Sequence, residues 1–352
     1  MSRPLTARAL VPALCLALVS VLAACGGSTS SSKAGASDEK VTLRLGYFPN
    51  VTHATAILGV KEGIFARDLG ADVTLKTATF DAGPEAVNAL LSGGLDATYV
   101  GPNPAINAWQ KSHGTAIKIV SGEASGGAFL VVKPSITSPS QLKGRKLASP
   151  QLGNTQDVAL RTWLRSQGYR TTTTGGGDVS VVPQDNATTL QAFQAGAIDG
   201  AWVPEPWATR LVKEGGGHVL VDEATLWPNG RYVTTLLMVR TAFQKAHPDV
   251  VERLVQGQVD ADQALAADPT KSATEVNDEI GRITGKALKP AVASAAFANI
   301  TFTNDPIASS LETSAKHAED LGLLQPVDLN GIFDLGPLNE VLHARGLPVV
   351  SS

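Results

Sequence analysis

The stretch SGGLDATYVGPNPA, residues 92–105, recurs about a hundred residues later as AGAIDGAWVPEPW, residues 195–207. In both copies a glycine is followed by an aliphatic residue, an aspartate, an aromatic–valine pair and a proline-containing turn. Asn103 then falls opposite Glu205 when one extra residue, Gly101, is allowed. Any protein of strand–helix–strand units repeats glycine–aliphatic–aspartate before a strand, but an offset shared over the whole stretch favours two lobes of one design.

Around each copy, short β-prone runs alternate with helical stretches. In the first cycle we predict strands at 41–47, 72–77, 97–100 and 118–121, with helices at 54–62, 84–91 and 104–111. In the second cycle we predict strands at 146–148, 179–182, 201–203 and 219–221, with helices at 155–166, 188–194 and 206–214. This alternation predicts an α/β fold of βαβ units with mostly parallel sheets.

The last third of the chain has a different pattern. After a strand at 234–239, helices are expected at 250–266, 272–283, 290–298, 306–321 and 338–345. Two facing α/β lobes place strand carboxyl ends and helix N-termini across a cleft, where open α/β sheets bind ligands. Helix N-termini present unpaired N–H groups and partial positive charge. The pattern therefore predicts a hinged binder of a small, anionic solute.

Composition excludes several classes of protein. The 352 residues include 29 basic and 32 acidic side chains, a net charge of −3, so the chain lacks the basic surface of a nucleic-acid binder. Both cysteines, Cys15 and Cys25, lie at the N-terminus, which leaves the body without a disulfide framework or a cysteine-based zinc site. Beyond residue 24, no apolar run approaches the ~20 residues that span a bilayer.

The N-terminus is typical of an exported protein. Arg3 and Arg8 precede an apolar run over residues 9–22, which predicts a signal peptide at 1–24. Leu-Ala-Ala-Cys, ending at Cys25, matches the lipobox of bacterial lipoproteins, in which the thiol is lipidated. An ordinary signal peptide with a chance cysteine is the alternative. Residues 25–40 are rich in serine, glycine and alanine and predict a flexible linker between a membrane anchor and an extracytoplasmic body.

The sequence lacks the common catalytic and cofactor motifs. It contains no GxxxxGK[ST] phosphate-binding loop, so any ATP hydrolysis must belong to another chain. It contains no HExxH, no GxSxG and no cysteine nucleophile in its body. Its six histidines are scattered without metal-ligand spacing. We therefore expect no enzyme activity, no cofactor and no metal.

Four stretches carry a resemblance to a known family. The chain resembles the substrate-binding lipoproteins of ABC importers for alkanesulfonates, taurine and nitrate at GYFPNVTHA (46–54), AGPEAVNALLSGGLDATYVG (82–101), PQLGNTQDVALRTWL (150–164) and DGAWVPEPWA (199–208). The resemblance covers roughly residues 41–247. It implies a type II periplasmic-binding-protein fold and, as partners, a membrane permease and its ATPase subunit.

The same resemblance implies the domain organisation. One lobe would comprise residues 41–122 and 233–352, and the other residues 125–231. The two crossovers between the lobes would form a hinge that closes around the ligand.

Polar residues at the expected cleft are candidate ligand contacts. Asn103 follows a strand and precedes a proline, as a helix N-cap does, and the alternative is capping alone. Gln151, Asn154 and Thr155 form a polar turn that leads into a helix, and Asn50 and His53 occupy the matching turn in the first lobe. Their amides and helix N-termini would hold anionic oxygens; as alternatives, the first three merely close a helix end and His53 is a packed imidazole.

Three further residues could complete the cleft. Glu205 occupies the place in the second lobe that Asn103 has in the first, so its carboxylate is paired with a cation or free for a ligand donor. Arg231 could neutralise Glu205 or clamp a sulfonate, unless it is a solvated loop residue. Trp202 could line the cleft for an organic ligand, with core packing as its alternative.

These candidates rank the ligands. A small organic anion, an alkanesulfonate or the aminosulfonate taurine, is expected first, because Glu205 would favour an ammonium and disfavour a bare anion. Nitrate-like oxyanions come second and a pyrimidine-type heterocycle third. Other functions left open are a ligand-presenting sensor subunit and an enzyme like the thiamine-pyrimidine synthases, although those synthases carry a cysteine-rich motif that this body lacks.

Overall fold

The structure is a computed structural model that describes residues 40–352. The predicted signal peptide, Cys25 and all but the last residue of the predicted linker lie outside the described residues. The strands are β1 Val41–Tyr47, β2 Val73–Thr79, β3 Ala97–Val100, β4 Ile117–Gly126, β5 Ala128–Val132, β6 Lys146–Ser149, β7 Ser180–Pro183, β8 Gly200–Pro204, β9 His218–Asp222, β10 Val233–Arg240 and β11 Ile300–Phe302.

The helices flank two sheets. They are α1 Ala54–Lys61, α2 Ile64–Leu69, α3 Gly83–Leu91, α4 Pro102–Lys111, α5 Thr155–Ser166, α6 Asn186–Gln194, α7 Trp207–Lys213, α8 Thr241–Ala246, α9 Pro248–Ala267, α10 Pro269–Thr284, α11 Pro290–Ala298, α12 Ala308–Asp320 and α13 Gly336–Ala344. In this part of the chain, no helix combines the length and apolar character needed to cross a membrane.

The first sheet has six strands in the order β11-β4-β10-β3-β1-β2. β1 pairs in parallel with β2 and β3, whereas β10 runs antiparallel between β3 and β4. This sheet and its helices form lobe 1, residues 40–126 and 233–352. Apolar side chains fill separate cores on its two faces, which is why its central strands are almost wholly buried.

The second sheet has five strands in the order β7-β6-β8-β5-β9 and forms lobe 2, residues 127–232. β6 pairs in parallel with β7 and β8, while β5 is antiparallel to β8 and β9. Our sequence prediction missed β5, β11 and the short helices α2 and α8. β5 directly follows β4 after one residue, and its continuous apolar run shows no alternation by which a strand could be distinguished.

The repeated aspartates have the same structural role in both lobes. Asp96, before β3, donates its N–H to the Arg44 carbonyl of β1, and its carboxylate accepts the Arg44 N–H at 3.0 Å. Asp199, before β8, donates to the Lys146 carbonyl of β6 and accepts the Lys146 N–H at 2.8 Å. Each carboxylate thus fixes the start of one parallel strand pair, so the sequence repeat corresponds to a structural repeat.

The chain crosses between the lobes twice. The first crossing lies at Gly126 and Gly127, whose φ angles of 81° and 72° favour glycine. The second leads through Arg231 and Tyr232 into β10. We expected the first segment of lobe 1 to end at residue 122. β4 extends beyond that residue, because β10 pairs with it as far as Ser125.

Candidate functional site

A small cavity of about 40 Å³ lies between the two lobes. This volume has room for about three water molecules. Lobe 1 and lobe 2 both contribute to its lining, which comprises Phe48, Asn50, Thr52, His53, Asp81, Ala82, Gly83, Gly101, Pro104, Pro150, Asn154, Thr155, Gln156, Asn186, Pro204, Thr234 and Thr235. Of the nine residues we predicted as ligand contacts, the structure brings four together here: Asn50, His53, Asn154 and Thr155.

Helix N-termini converge on this cavity. α3 begins at Gly83, α4 follows its N-cap Gly101, α5 follows its N-cap Asn154, and α6 begins at Asn186. α1 begins immediately after His53. Because each N-terminus carries unpaired N–H groups and about half a positive charge, five of them create a positive potential without any cationic side chain. The arrangement suits an anionic group.

The start of α5 is held in place by a buried hydrogen-bond network. Asn154 accepts the N–H of Asp157 at 3.1 Å, as an N-cap should. The Asp157 carboxylate accepts hydrogen bonds from Ser149 Oγ at 2.6 Å and from Gly153 N–H at 2.9 Å. Arg161 pairs with the same carboxylate at 2.9 Å. The helix N-terminus is therefore fixed before any ligand binds.

Two buried polar atoms in the cavity lining have no partner among the described residues. These atoms are Oγ1 of Thr155 and Oδ1 of Asn186, and each side chain is only 7% exposed. Leaving a buried hydroxyl or amide unpaired costs about 1–3 kcal/mol. A ligand with hydrogen-bonding groups would satisfy both atoms.

His53 lines the cavity as a neutral imidazole. Burial lowers the pKa of His53 to about 3. Its Nδ1 accepts the Phe48 N–H at 3.4 Å, which leaves the ring proton on Nε2. The ring also packs against the Phe48 ring at a centroid distance of 4.4 Å. His53 can therefore donate one hydrogen bond but supplies no charge.

The formal charge of the cavity lining is carried by one acid. Asp81, an exposed residue just before α3, lines the cavity, and within residues 40–352 no lysine or arginine does. Positive potential from helix ends thus lies beside a single carboxylate. This combination can hold a ligand with an anionic end and a cationic end.

Direct contacts join the lobes around the cavity. Trp207 of lobe 2 donates its indole N–H to Asn50 Oδ1 of lobe 1 at 3.0 Å. The Arg210 guanidinium stacks over the Trp207 ring, 4.6 Å from its centroid. Gly101 of lobe 1 lies so close to Thr155 of lobe 2 that a Cβ at position 101 would collide with the Thr155 hydroxyl. The lobes therefore meet at the cavity rim.

Two of the predicted contact residues lie in the lobe interiors. Asn103 is the second residue of α4, not its N-cap, and donates its amide to the Ser314 carbonyl at 3.2 Å. Trp202 is fully buried in the core of lobe 2, where its indole N–H donates to Glu223 at 2.7 Å. Core packing, the alternative for Trp202, describes its position.

The other three predicted residues lie outside the cavity lining. Glu205 is fully buried and is occupied by hydrogen bonds within the protein, so its carboxylate is not free for a ligand. Arg231 is 60% exposed and pairs with Asp305 at 2.7 Å, not with Glu205. Gln151 is half-buried in the turn before α5.

Five polar lining residues outside the predicted turns escaped the sequence analysis, one of them Gln156 in the first turn of α5. Asn186 follows the N-cap Asp185, and this strand-to-helix turn gives the same signal as Asn154. Asp81 precedes α3 in a similar way. Thr234 and Thr235 belong to the antiparallel strand β10, whose return to lobe 1 leaves no local signal of cleft contact.

Two α/β lobes, linked by two crossings and enclosing a cavity of helix N-termini, define the periplasmic-binding-protein fold. The chain belongs to the NMT1-like family, whose model matches residues 36–278. The expected periplasmic-binding-protein fold and the resemblance to importer components are thereby confirmed.

Individual relatives bind small anions or zwitterions. The taurine-binding periplasmic protein of Escherichia coli is 29% identical over 208 residues, covering 59% of this chain but only 62% of that protein, less than two thirds of its length. The alkanesulfonate-binding protein SsuA from Xanthomonas axonopodis pv. citri, bound to MOPS, matches with a TM-score of 0.70 and 20% identity, covering 85% of this chain and 99% of SsuA. The nitrate-binding protein NrtA from Synechocystis matches with a TM-score of 0.70 and 16% identity, covering 88% and 90%.

Proposed function

We propose that this protein is the extracytoplasmic solute-binding component of an ABC importer and binds a small aminosulfonate such as taurine between its lobes. The observation that carries the proposal is the convergence of five helix N-termini on a cavity whose lining, within residues 40–352, has one acid and no lysine or arginine. A sulfonate offers three acceptor oxygens to N–H donors that come from both lobes.

The ammonium of the ligand is assigned to Asp81. Taurine is a zwitterion at neutral pH, so its charges complement the helix ends on one side and the Asp81 carboxylate on the other. We first expected Glu205 to take this role, but its oxygens already accept hydrogen bonds from Asn299 and Thr209. Asp81 has the required charge in the required place.

The Thr155 hydroxyl, the Asn186 amide and the His53 imidazole complete the proposed contacts. Thr155 and Asn186 have buried polar atoms that no other described residue satisfies. Neutral His53 donates through Nε2 to an anionic oxygen. Because no full positive charge is involved, selectivity depends on the number and direction of donors, and a plain alkanesulfonate loses the Asp81 contact.

Size restricts the ligand to a compact solute, because a cavity of about 40 Å³ has room for about three water molecules. Taurine is larger than this volume, so its binding requires the lobes to move apart. Nitrate and bicarbonate are smaller, but the Asp81 carboxylate would repel each of them without a compensating ammonium. Taurine is therefore ranked first, short alkanesulfonates second, and inorganic oxyanions third.

The anchor and the partners belong to the same proposal. Lipidation at Cys25 would hold the body at the extracytoplasmic face of the cell membrane through the linker at residues 25–40. There it would lie beside a permease whose ATPase subunit supplies the energy for import. The similarity to the taurine-binding periplasmic protein of Escherichia coli supports this assignment over an enzyme.

The decisive experiment is a thermal-shift screen of the mature protein with taurine, propanesulfonate, nitrate, bicarbonate and a pyrimidine. A ligand at a hundred times its dissociation constant stabilises the fold by about 2.7 kcal/mol, which is readily measured. We expect the largest shift with taurine. Stabilisation by nitrate, bicarbonate or the pyrimidine, with none by either sulfonate, would show that the ligand class is wrong.

Calorimetric titration of Asp81→Asn then tests the ammonium contact. Taurine affinity should fall by about tenfold, because a charge-assisted hydrogen bond is lost, while propanesulfonate affinity should hold or rise. Glu85→Gln is the matched control, because Glu85 lies in the first turn of α3, the helix that Asp81 precedes. An equal loss for both ligands would remove Asp81 from the proposed contact.

A further inference from the structure

Lobe 1 contains a second, larger cavity. It has a volume of about 700 Å³, lies among α9, α10, α11 and β11, and shares no lining residue with the inter-lobe cavity. Its lining comprises Asp262, Leu265, Ala266, Pro269, Thr270, Ala273, Thr274, Asn277, Asp278, Pro290, Ala293, Ser294, Phe297, Ala298, Ile300 and Phe302. Its volume falls within the ~300–1,000 Å³ typical of small-molecule sites.

The walls of this cavity are mostly apolar and include two aromatic rings. Phe297 and Phe302 pack at a centroid distance of 5.7 Å. Both side chains are only partly buried, as is Ile300, so apolar surface remains open to the cavity. Neither the core of lobe 1 nor the proposed solute function accounts for this open apolar surface.

One carboxylate in the lining has an oxygen without a partner. Asp262 Oδ2 accepts the Asn304 amide at 2.9 Å, whereas its Oδ1 is buried and has no hydrogen-bond partner among the described residues. Asn304 is itself held by Gln258 at 3.2 Å, and Gln258 accepts the Tyr99 hydroxyl at 2.7 Å. The carboxylate is therefore oriented by a buried network, not by solvent.

Charge defines the complementary ligand. The ionisable residues of the lining are Asp262 and Asp278, and within the described residues no lysine, arginine or histidine lines the cavity. Burial raises the pKa of Asp262 to about 6, so this carboxylate is mostly ionised at neutral pH and lacks a cation.

We propose that this cavity is a second binding site, which takes a small apolar molecule carrying a primary ammonium group. The ammonium pairs with the Asp262 carboxylate, and the apolar body lies against Phe297 and Phe302. An anion is excluded by the two acids, and a neutral apolar molecule would leave the buried oxygen unpaired. Such a ligand would satisfy the carboxylate and cover the exposed apolar wall together.

The test uses 2-phenylethylamine and its neutral analogue 2-phenylethanol as probes in calorimetric titrations of the mature protein at pH 7.5. The amine should bind, and the alcohol should bind at least about tenfold more weakly. Asp262→Asn should reduce amine affinity by a similar factor while retaining an acceptor for Asn304. Asp278→Asn removes an equal charge from the exposed side of the lining and should change the affinity by less than about threefold.

Two further measurements locate the amine. Ala273→Phe, which fills the cavity, should abolish binding of the amine while the melting temperature stays near that of the parent protein. Saturating taurine should not displace the amine, since the two cavities are separate. Absence of amine binding, equal losses in Asp262→Asn and Asp278→Asn, unchanged binding in Ala273→Phe, or displacement by taurine would each overturn the proposal.

Discussion

The side-chain amide of Asn299, in lobe 1, donates to the Glu205 carboxylate of lobe 2, with Nδ2 2.7 Å from Oε1. Thr209 supplies two more donors to this carboxylate, its hydroxyl at 2.8 Å and its N–H at 3.1 Å. Burial raises the pKa of Glu205, and these hydrogen bonds oppose that effect. Glu205 therefore joins the lobes, with its hydrogen bonds made inside the protein.

Asn299→Ala should weaken ligand affinity without touching the cavity. Loss of one hydrogen bond to a charged group costs about 1.5–3 kcal/mol, so we expect the ligand found by the thermal-shift screen to bind about tenfold more weakly. Calorimetric titration measures the change. Asn330→Ala, on an exposed loop of the same lobe, is the matched control and should bind as the parent protein does. Equal affinities for Asn299→Ala and the parent would show that this contact does not favour the ligand-bound arrangement.

Gly101→Ala should hold the lobes apart. The backbone at Gly101 has a φ of −71°, which alanine adopts without strain, so the new Cβ acts only through its collision with the Thr155 hydroxyl. Overpacking of this kind costs about 1–3 kcal/mol, which predicts roughly tenfold weaker ligand binding and a larger radius of gyration by small-angle scattering.

The controls for Gly101→Ala separate sterics from chemistry. Gly336→Ala, where a Cβ would make only ordinary contacts, should leave the radius unchanged. Adding Thr155→Ala to Gly101→Ala removes the colliding hydroxyl and should restore the parent radius. A radius that stays large in the double variant would contradict the steric explanation.

Thr155→Val should separate ligand binding from stability. Because the Thr155 hydroxyl has no partner among the described residues, its removal should leave the free energy of unfolding unchanged or raise it. Ligand affinity should fall by about tenfold. Thr189→Val, a buried threonine of α6 outside the cavity lining, should retain affinity and lose some stability. A destabilised Thr155→Val with full affinity would contradict the proposed contact.

Glu223→Gln should alter how stability depends on pH. Burial raises the pKa of Glu223 to about 7 in the folded protein, against 4.5 as its ordinary value. Between these values the unfolded chain releases a proton that the folded protein keeps, so the stabilisation is present below pH 4.5 and is lost as the pH rises through 7. The contribution changes by up to about 1.4 kcal/mol per pH unit.

Urea denaturation of the parent and Glu223→Gln at pH 5, 6 and 7 checks this prediction. The parent's advantage should be largest at pH 5 and should shrink by pH 7. The opposite contribution of His53, whose pKa is lowered to about 3, is common to both proteins and cancels in the comparison. Glu312→Gln, on the exposed surface, is the control and should change the free energy of unfolding by the same amount at all three pH values. A pH-independent difference for Glu223→Gln would contradict a neutral Glu223 in the folded state.

Cys25→Ser should release the protein from the membrane. Lipidation needs the thiol, so the variant should remain unprocessed or appear in the soluble fraction, whereas the parent partitions into detergent. Cys15→Ser, within the predicted signal peptide, is the control and should leave partitioning unchanged. Normal processing and membrane retention of Cys25→Ser would contradict the lipobox interpretation.

Local sequence signals predicted most of the fold and part of the site. β1 at Val41–Tyr47 and α11 at Pro290–Ala298 have the predicted bounds, because strong β-propensity or an initial proline marks them locally. Asn154 and Thr155 could be placed at the cavity for the same reason, since an N-cap defines a helix start and helix starts face the cleft.

Two of the predicted contacts lie outside the cavity lining for non-local reasons. The Glu205 carboxylate accepts a hydrogen bond from Asn299, which lies 94 residues further along the chain. No local sequence pattern predicts that partner. Trp202 lies in β8, whose two faces are both buried, so alternation could not show which direction its indole takes. Asn103 was predicted as the N-cap of α4 but lies two residues past it, because Pro102 begins the helix and Gly101 is its N-cap.

The position of β10 between β3 and β4 constrains how the chain can fold during synthesis. The ribosome produces β3 and β4 before any of lobe 2, but their shared neighbour begins only at Val233. Lobe 2 is complete in the nascent chain by then, and its sheet needs no strand from lobe 1. Emergence of residues 233–240 is therefore the event that lets the first sheet close, and until then β3 and β4 expose unpaired edges.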